Sequence, residues 1–113
     1  MNNLKLSTAK CPSSSAILPC TCVSYVNQIS CWNIKADVNL RQIFVNLTNL
    51  IGDKYKEKPI IFDEFKLVDS ELTQLGTPNF HDPQGDIFAG IAFNKIHILQ
   101  NSKLNMIYRN AFK

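Results

Sequence analysis

The stretch FDEFKLVDSELTQLGTPNF, residues 62–80, carries apolar residues at its positions 1, 4, 6, 11, 14 and 19. Neither the 3.6-residue period of a helix nor the alternation of a strand generates that spacing. It recurs from Phe93, where the chain reads FNKIHILQNSKLNMIYRNAF. Phe62, Phe65 and Leu67 align with Phe93, Ile96 and Ile98, and Ser70 with Asn101. Leu72 and Leu75 align with Leu104 and Ile107 after a single insertion, and an aromatic (Phe80, Phe112) closes each copy. The step from Phe62 to Phe93 is therefore held, within that insertion, along the whole copy. Positions 4 and 6 alternate with exposed neighbours, as in a short strand, while the later apolar positions return along another side. A single coil of this kind cannot bury its own apolar side, so successive coils are expected to stack and share a core.

The second constraint is sulfur. Cys11, Cys20, Cys22 and Cys31 all fall in the first third of the chain, spaced C-x8-C-x-C-x8-C. An even number in so short a span reads as a local disulfide framework. A four-thiolate zinc site would present C-x2-C knuckles, and this spacing has none. Four cysteines allow three pairings. Cys20 and Cys22 point the same way on an extended chain, so each should take its own partner. Disulfides imply an oxidising compartment, and the chain is therefore expected to be secreted. The start, MNNLKLSTAK, has no apolar signal core, so the leader is expected to have been removed or to be missing.

Along the chain, residues 1–10 are polar and read as a flexible N-terminus. Pro12 and Pro19 keep residues 11–20 irregular. Two β-prone runs, residues 22–26 and 28–34, suggest a hairpin around Asn27 that buries Ile29 and Cys31 on one face. A helix is expected over 37–52. Leu40, Ile43, Phe44, Leu47, Leu50 and Ile51 form its apolar stripe, with Asp37 as N-cap and Gly52 at C′. DKYKEKP, residues 53–59, reads as a charged surface loop. Asn46-Leu47-Thr48 is a glycosylation sequon, with Asn46 about 100° from the stripe.

The rhythm matches L-x-x-L-x-L-x-x-N-x-L, that of leucine-rich repeats. Ser70 stands where the first copy should carry Asn, so its turn is expected to be less well bonded than that of Asn101. HDPQGD, residues 81–86, reads as the surplus over the usual repeat length, placed on a loop. The cluster CP…PCTC…ISC ahead of such repeats resembles the N-terminal cysteine cap of extracellular leucine-rich repeat proteins. That resemblance implies the pairs Cys11–Cys22 and Cys20–Cys31. The order ILPCTC, helix, FDEFKLVDSELTQL, FNKIHI and RNAF is similar to a group of arthropod secreted proteins related to the non-catalytic subunit of Oplophorus-luciferin monooxygenase. The likeness covers residues 11–113. Members carry more repeats and often a C-terminal cap, which implies a chain truncated at Lys113. Since the resemblance is to a non-catalytic partner, it implies no light-producing chemistry.

The expected fold is thus α/β: a leucine-rich repeat solenoid fragment with a disulfide-linked N-terminal β-hairpin cap (residues 11–36), one capping helix (37–52) and two repeats (60–113). If Phe65, Leu67, Ile96 and Ile98 point inward, alternation sends Glu64, Lys66, Val68, Lys95, His97 and Leu99 onto the concave sheet, joined by Gln28, Ser30 and Trp32 from the cap. Such sheets bind partners in solenoids. Trp32 either stands exposed as an anchor or packs on the disulfides.

Other functional classes find little footing. A net charge of +3 with scattered lysines gives no ground for nucleic acid or an anionic membrane. No stretch approaches the roughly 20 apolar residues of a spanning helix. His81, Asp82 and Asp86 could suggest a metal or acid–base pair, but they lie in a Pro/Gly loop where polar residues are expected anyway. Ser13, Ser14 and Ser15 lack nucleophile-elbow glycines, and there is no phosphate-binding or dinucleotide fingerprint. The reading is therefore a non-enzymatic secreted module without a cofactor, recognising a protein partner or serving as an accessory subunit. The alternative is a structural component of a secreted fluid with no defined partner. An uncapped last repeat would leave apolar residues in water and favour self-association through the C-terminal edge.

Overall fold

The computed structural model describes residues 9–52, 60–79 and 81–112. It is a small mixed α/β domain with one helix, a mixed sheet and two disulfides. The order is β1 (Cys20–Val23), β2 (Gln28–Trp32), α1 (Leu40–Ile51), β3 (Ile60–Val68), β4 (Gln74–Leu75), β5 (Ile91–Leu99) and β6 (Met106–Ile107). Short 3-10 turns cover Ser14–Ile17 and Pro83–Gly85. No helix among the described residues is long and apolar enough to cross a membrane.

The main sheet runs β1-β2-β3-β5. β1 and β2 are antiparallel, with Cys20 opposite Cys31, and β2, β3 and β5 are parallel. Phe62 pairs with Phe93, Phe65 with Ile96 and Leu67 with Ile98, so the register of the strands equals the step of the sequence pattern. A second parallel pair, β4 with β6, sets Leu75 opposite Ile107, a step longer by the single insertion. The residues following β2, β3 and β5 repeat one turn: Asn33, Asp69 and Gln100 all have left-handed φ, at 55°, 60° and 55°. Asn and Asp tolerate that region better than other side-chain-bearing residues because their short polar groups bond locally.

The irregular rhythm has a backbone cause. Phe62 and Phe65 are both fully buried although an odd number of positions separates them, so the strand changes phase between them. Asp63 and Glu64 both donate their N–H to Asn27 O, at 3.0 and 3.3 Å. Regular alternation resumes from Glu64.

The six described phenylalanines join a single cluster on the inner side of the sheet. Phe44 of α1 meets Phe65 and Phe93 edge-on at 5.7 and 6.0 Å. Phe88 lies at its centre, within 5.2 Å of Phe44, Phe65, Phe93 and Phe112. Phe80 lies outside the described residues. Ile87 and Phe88 are buried, although they follow a loop that composition reads as mere surplus. Asp82 caps that loop's 3-10 turn through Gln84 N. Gly85 sits so close to Asn110 that an added Cβ would meet Asn110 Nδ2 within van der Waals distance. Asn110 is itself buried: Oδ1 accepts from Thr77 N, while Nδ2 donates to Thr77 Oγ1 and Asn79 O.

The cap is cross-linked as Cys11–Cys22 and Cys20–Cys31, the pairs that the resemblance implies. Between its strands lies a longer turn, Ser24 to Asn27, rather than Asn27 alone. Ile29 and Cys31 are fully buried on one face. Ala9, assigned above to a flexible terminus, is buried and donates its N–H to Ile61 O at 2.7 Å. Residues 1–8 and the 53–59 loop lie outside the described residues.

The helix starts later than its composition suggests, at Leu40. Asn39 is the N-cap, accepting from Gln42 N at 3.2 Å. Asp37 is not the cap: it lies three residues before the helix, in a turn that Val38 N closes onto Lys35 O. Gly52 keeps right-handed helical φ and ψ and bonds back to Thr48 O, so the left-handed C′ role is not used. Leu40, Ile43, Phe44 and Leu47 are buried, but Leu50 in the last turn is 60% exposed.

Asn101 ties neighbouring strands together. Its Oδ1 accepts from Ser70 N at 2.8 Å, and its Nδ2 donates to Leu67 O and Leu99 O. Ser70 is buried, and its Oγ has no hydrogen-bond partner among the described residues.

Two stability outcomes follow from this packing. Phe88→Ala should cost about 3–5 kcal/mol in urea unfolding, since it empties the centre of the ring cluster. Asn101→Ala should cost about 1–3 kcal/mol by stranding buried backbone groups, whereas Ser70→Ala should leave stability unchanged or raised. Equal losses for Asn101→Ala and Ser70→Ala would refute this assignment of the turn.

Candidate functional site

The face of the sheet opposite α1 is built in rows, because residues in register point the same way. One row is Trp32, Val68 and Leu99; the next is Thr21, Ser30, Lys66 and His97; the third is Val23, Gln28, Glu64 and Lys95. The parallel register thus gathers Trp32, Glu64, Lys66, Val68, Lys95, His97 and Leu99 onto one surface. Thr21 and Val23 extend it, and sequence reasoning missed them. The cross-strand position of Cys20 and Cys31 is the signal that places β1 in register beside β2.

The top row is an apolar ridge. Trp32 is 54% exposed and Leu99 45%, while Val68 between them is only 4% exposed. Alternation alone predicts a solvent-facing Val68. It does point to the outer face, and it lies outside the main core cluster, but its flanking neighbours in the row close over it. Trp32 stands exposed rather than buried against the disulfides.

Below the ridge the surface is polar and charged. His97 Nε2 lies 3.0 Å from Glu64 Oε2, and Gln28 Nε2 donates to Glu64 Oε1 at 3.4 Å. Glu64 is thereby fixed in place, while Lys95 in its own row and Lys66 in the next add two cations nearby. Both partners of the His97–Glu64 pair are partly exposed, so its role is orientation more than stability. At the phase change in the strands, Asn94 Nδ2 donates to Asp63 Oδ1 at 3.1 Å.

The inward set differs from expectation at one point. Ile96 is 37% exposed, because β5 is the last strand and nothing among the described residues covers its far side. Phe65 and Leu67, one strand further in, are fully buried.

The remaining candidates have structural roles. Asp82 and Asp86 accept from the backbone N–H of Gln84 and Phe88, respectively. His81 N donates to Asn79 Oδ1. The described residues contain no group of three or more His, Cys, Asp or Glu able to hold a metal ion. A shallow groove of about 420 Å³ lies between α1 and this loop. Its polar groups hold the loop to the helix: Arg41 donates to Gln84 Oε1 and Asp86 O, and Thr48 Oγ1 to Ala89 O. Ser13 Oγ and Ser15 Oγ lie 3.4 Å apart on the cap surface. Asn46 of the sequon is exposed on α1 and accepts from Gln42 Nε2 at 2.9 Å.

No family model matches the chain, and no match was found among curated proteins or among solved structures.

Trp32 is the sole tryptophan of the chain, so its emission reports on the outer face alone. Acrylamide should quench Trp32 with a slope near that of a solvent-exposed indole. The shallow slope of a buried indole would contradict this placement.

Proposed function

We propose that the protein is a non-enzymatic, extracellular recognition or accessory module of the leucine-rich repeat kind, which binds a protein through the outer sheet face. In this reading the chain is a solenoid fragment: the hairpin of β1 and β2 is a cysteine cap, and the segments around β3 and β5 are repeats. Kinship with the non-catalytic luciferase-subunit group belongs to the same proposal. The supporting observation is the constant step of the chain. The offset that pairs Phe65 with Ile96 is nearly the one that pairs Leu75 with Ile107, and each parallel strand of the main sheet ends in the same left-handed turn.

The outer face supports recognition because it joins a half-exposed aromatic, an apolar floor and a positioned carboxylate flanked by lysines. Exposed aromatic residues with apolar neighbours supply a large share of binding energy in protein interfaces. Two disulfides suit an oxidising, extracellular setting. The polar residues of the loops are engaged in capping and turn formation, which favours a binding role over catalysis.

The test is selection of binding proteins from a displayed library, followed by substitution on the face. Trp32→Ala should weaken the selected binders by about tenfold or more, and Lys66→Ala with His97→Ala should weaken them further, with circular dichroism unchanged. Binders indifferent to all three substitutions would overturn the reading.

A further inference from the structure

The helix that covers the inner side of the sheet carries a modification signal on its flank. Asn46-Leu47-Thr48 is the only Asn-x-Ser/Thr triplet of the chain, and no proline interrupts it. Folding separates its two polar members, because side chains two residues apart on a helix diverge by about 160°. Asn46 is exposed, whereas Thr48 is half-buried and donates Oγ1 to Ala89 O at 3.2 Å. An enzyme that must grip the asparagine amide and the threonine hydroxyl together cannot do so on the finished helix. The signal is usable only before α1 closes.

The order of the chain keeps it open until then. α1 has 12 residues, too few for a stable helix in water without packing partners. The rings that pack on Phe44, namely Phe65, Phe88 and Phe93, all come later in the chain, as does Ala89. The four cysteines all come earlier, so the cap can cross-link without enclosing the triplet. The folded structure then has room for a sugar. Asn46 Oδ1 accepts from Gln42 Nε2 at 2.9 Å, and an N-linked sugar replaces a hydrogen of Nδ2 while keeping that oxygen as an acceptor. Leu50, one turn further along the same flank, is 60% exposed and would lie beside the sugar.

We infer that Asn46 is a site of N-linked glycosylation, modified before the helix packs and carried on the helix side of the molecule, away from Trp32 and the outer face. The donor is an oligosaccharide joined through a diphosphate to a membrane lipid. Asn46 Nδ2 attacks the anomeric carbon, so that an N–C bond forms and the C–O bond to the diphosphate breaks. Nδ2 gives up one proton as the lipid diphosphate leaves, and nothing is oxidised or reduced. This inference shares with the recognition reading only the passage through an oxidising secretory compartment.

The test expresses the full chain behind a secretory leader in a eukaryotic cell. Intact mass is measured before and after peptide N-glycosidase treatment, in the cell-associated and the secreted protein. One glycan should be present and removable, leaving a carboxylate at position 46. Asn46→Gln and Thr48→Ala should each lose it. Thr48→Ser keeps the hydroxyl and should retain the glycan at lower occupancy, which separates loss of the signal from damage to the Ala89 contact. Quenching of Trp32 by acrylamide should be the same before and after sugar removal. An unmodified chain in which both disulfides have formed, a glycan that survives Asn46→Gln, or quenching that changes on sugar removal would overturn the inference. A glycosylated chain whose outer face selects no binder would instead sink the recognition reading and support this one.

Discussion

The structure depends on burying aromatic rings between one helix and the inner side of a parallel sheet. Parallel strands need long crossovers, and a crossover is stable only when it brings back something apolar to cover the face it leaves. Here α1 returns Phe44 between β2 and β3, and the segment before β5 returns Phe88. Each ring meets rings from other elements, so the helix, both long strands and the C-terminal Phe112 share one core. Phe62, stacked on Phe93, extends that core along the strands. The phase change between Phe62 and Phe65 is the local adjustment that lets both rings face the same way.

The polar framework serves this core. Asn101 stitches the ends of β3 and β5, and Asn110 fills the space left by Gly76 and Gly85. Both are amides holding backbone in place where no regular ladder does. A buried amide with its donors and acceptors engaged specifies one arrangement of loops, since any shift strands its groups in an apolar setting. The outer face inherits its rows from the same register. Trp32, Val68 and Leu99 are adjacent in space because the inner side holds β2, β3 and β5 at a fixed step.

Much of this is legible in the amino-acid sequence, for a physical reason. The spacing of Phe62, Phe65 and Leu67, repeated at Phe93, Ile96 and Ile98, records which side chains face inward, and inward-facing positions on neighbouring parallel strands align. What pattern could not reveal was burial decided by other segments. Val68 alternates outward correctly, but its exposure depends on Trp32 and Leu99, which are remote along the chain and meet it only through strand pairing. Ile87 and Phe88 form an isolated pair after a Pro/Gly loop, and two residues carry no period. Asp37 and Asn39 are both good capping residues, and only the spacing to Gln42, with a turn at residues 36–37, separates them. Ile96 looks like Phe65 in sequence and differs in that no strand among the described residues lies beyond it.

The two covalent links join the same border of the sheet, where β1 and β2 meet, and none reaches β5 or β6. Reinforcement is therefore one-sided. Chain peeled from the β5 border meets only hydrogen bonds and packed rings, while chain pulled from the opposite border is stopped by sulfur. The molecule thus has a direction of unravelling built into it, from the C-terminal margin inward, with the stapled hairpin as the last piece to let go.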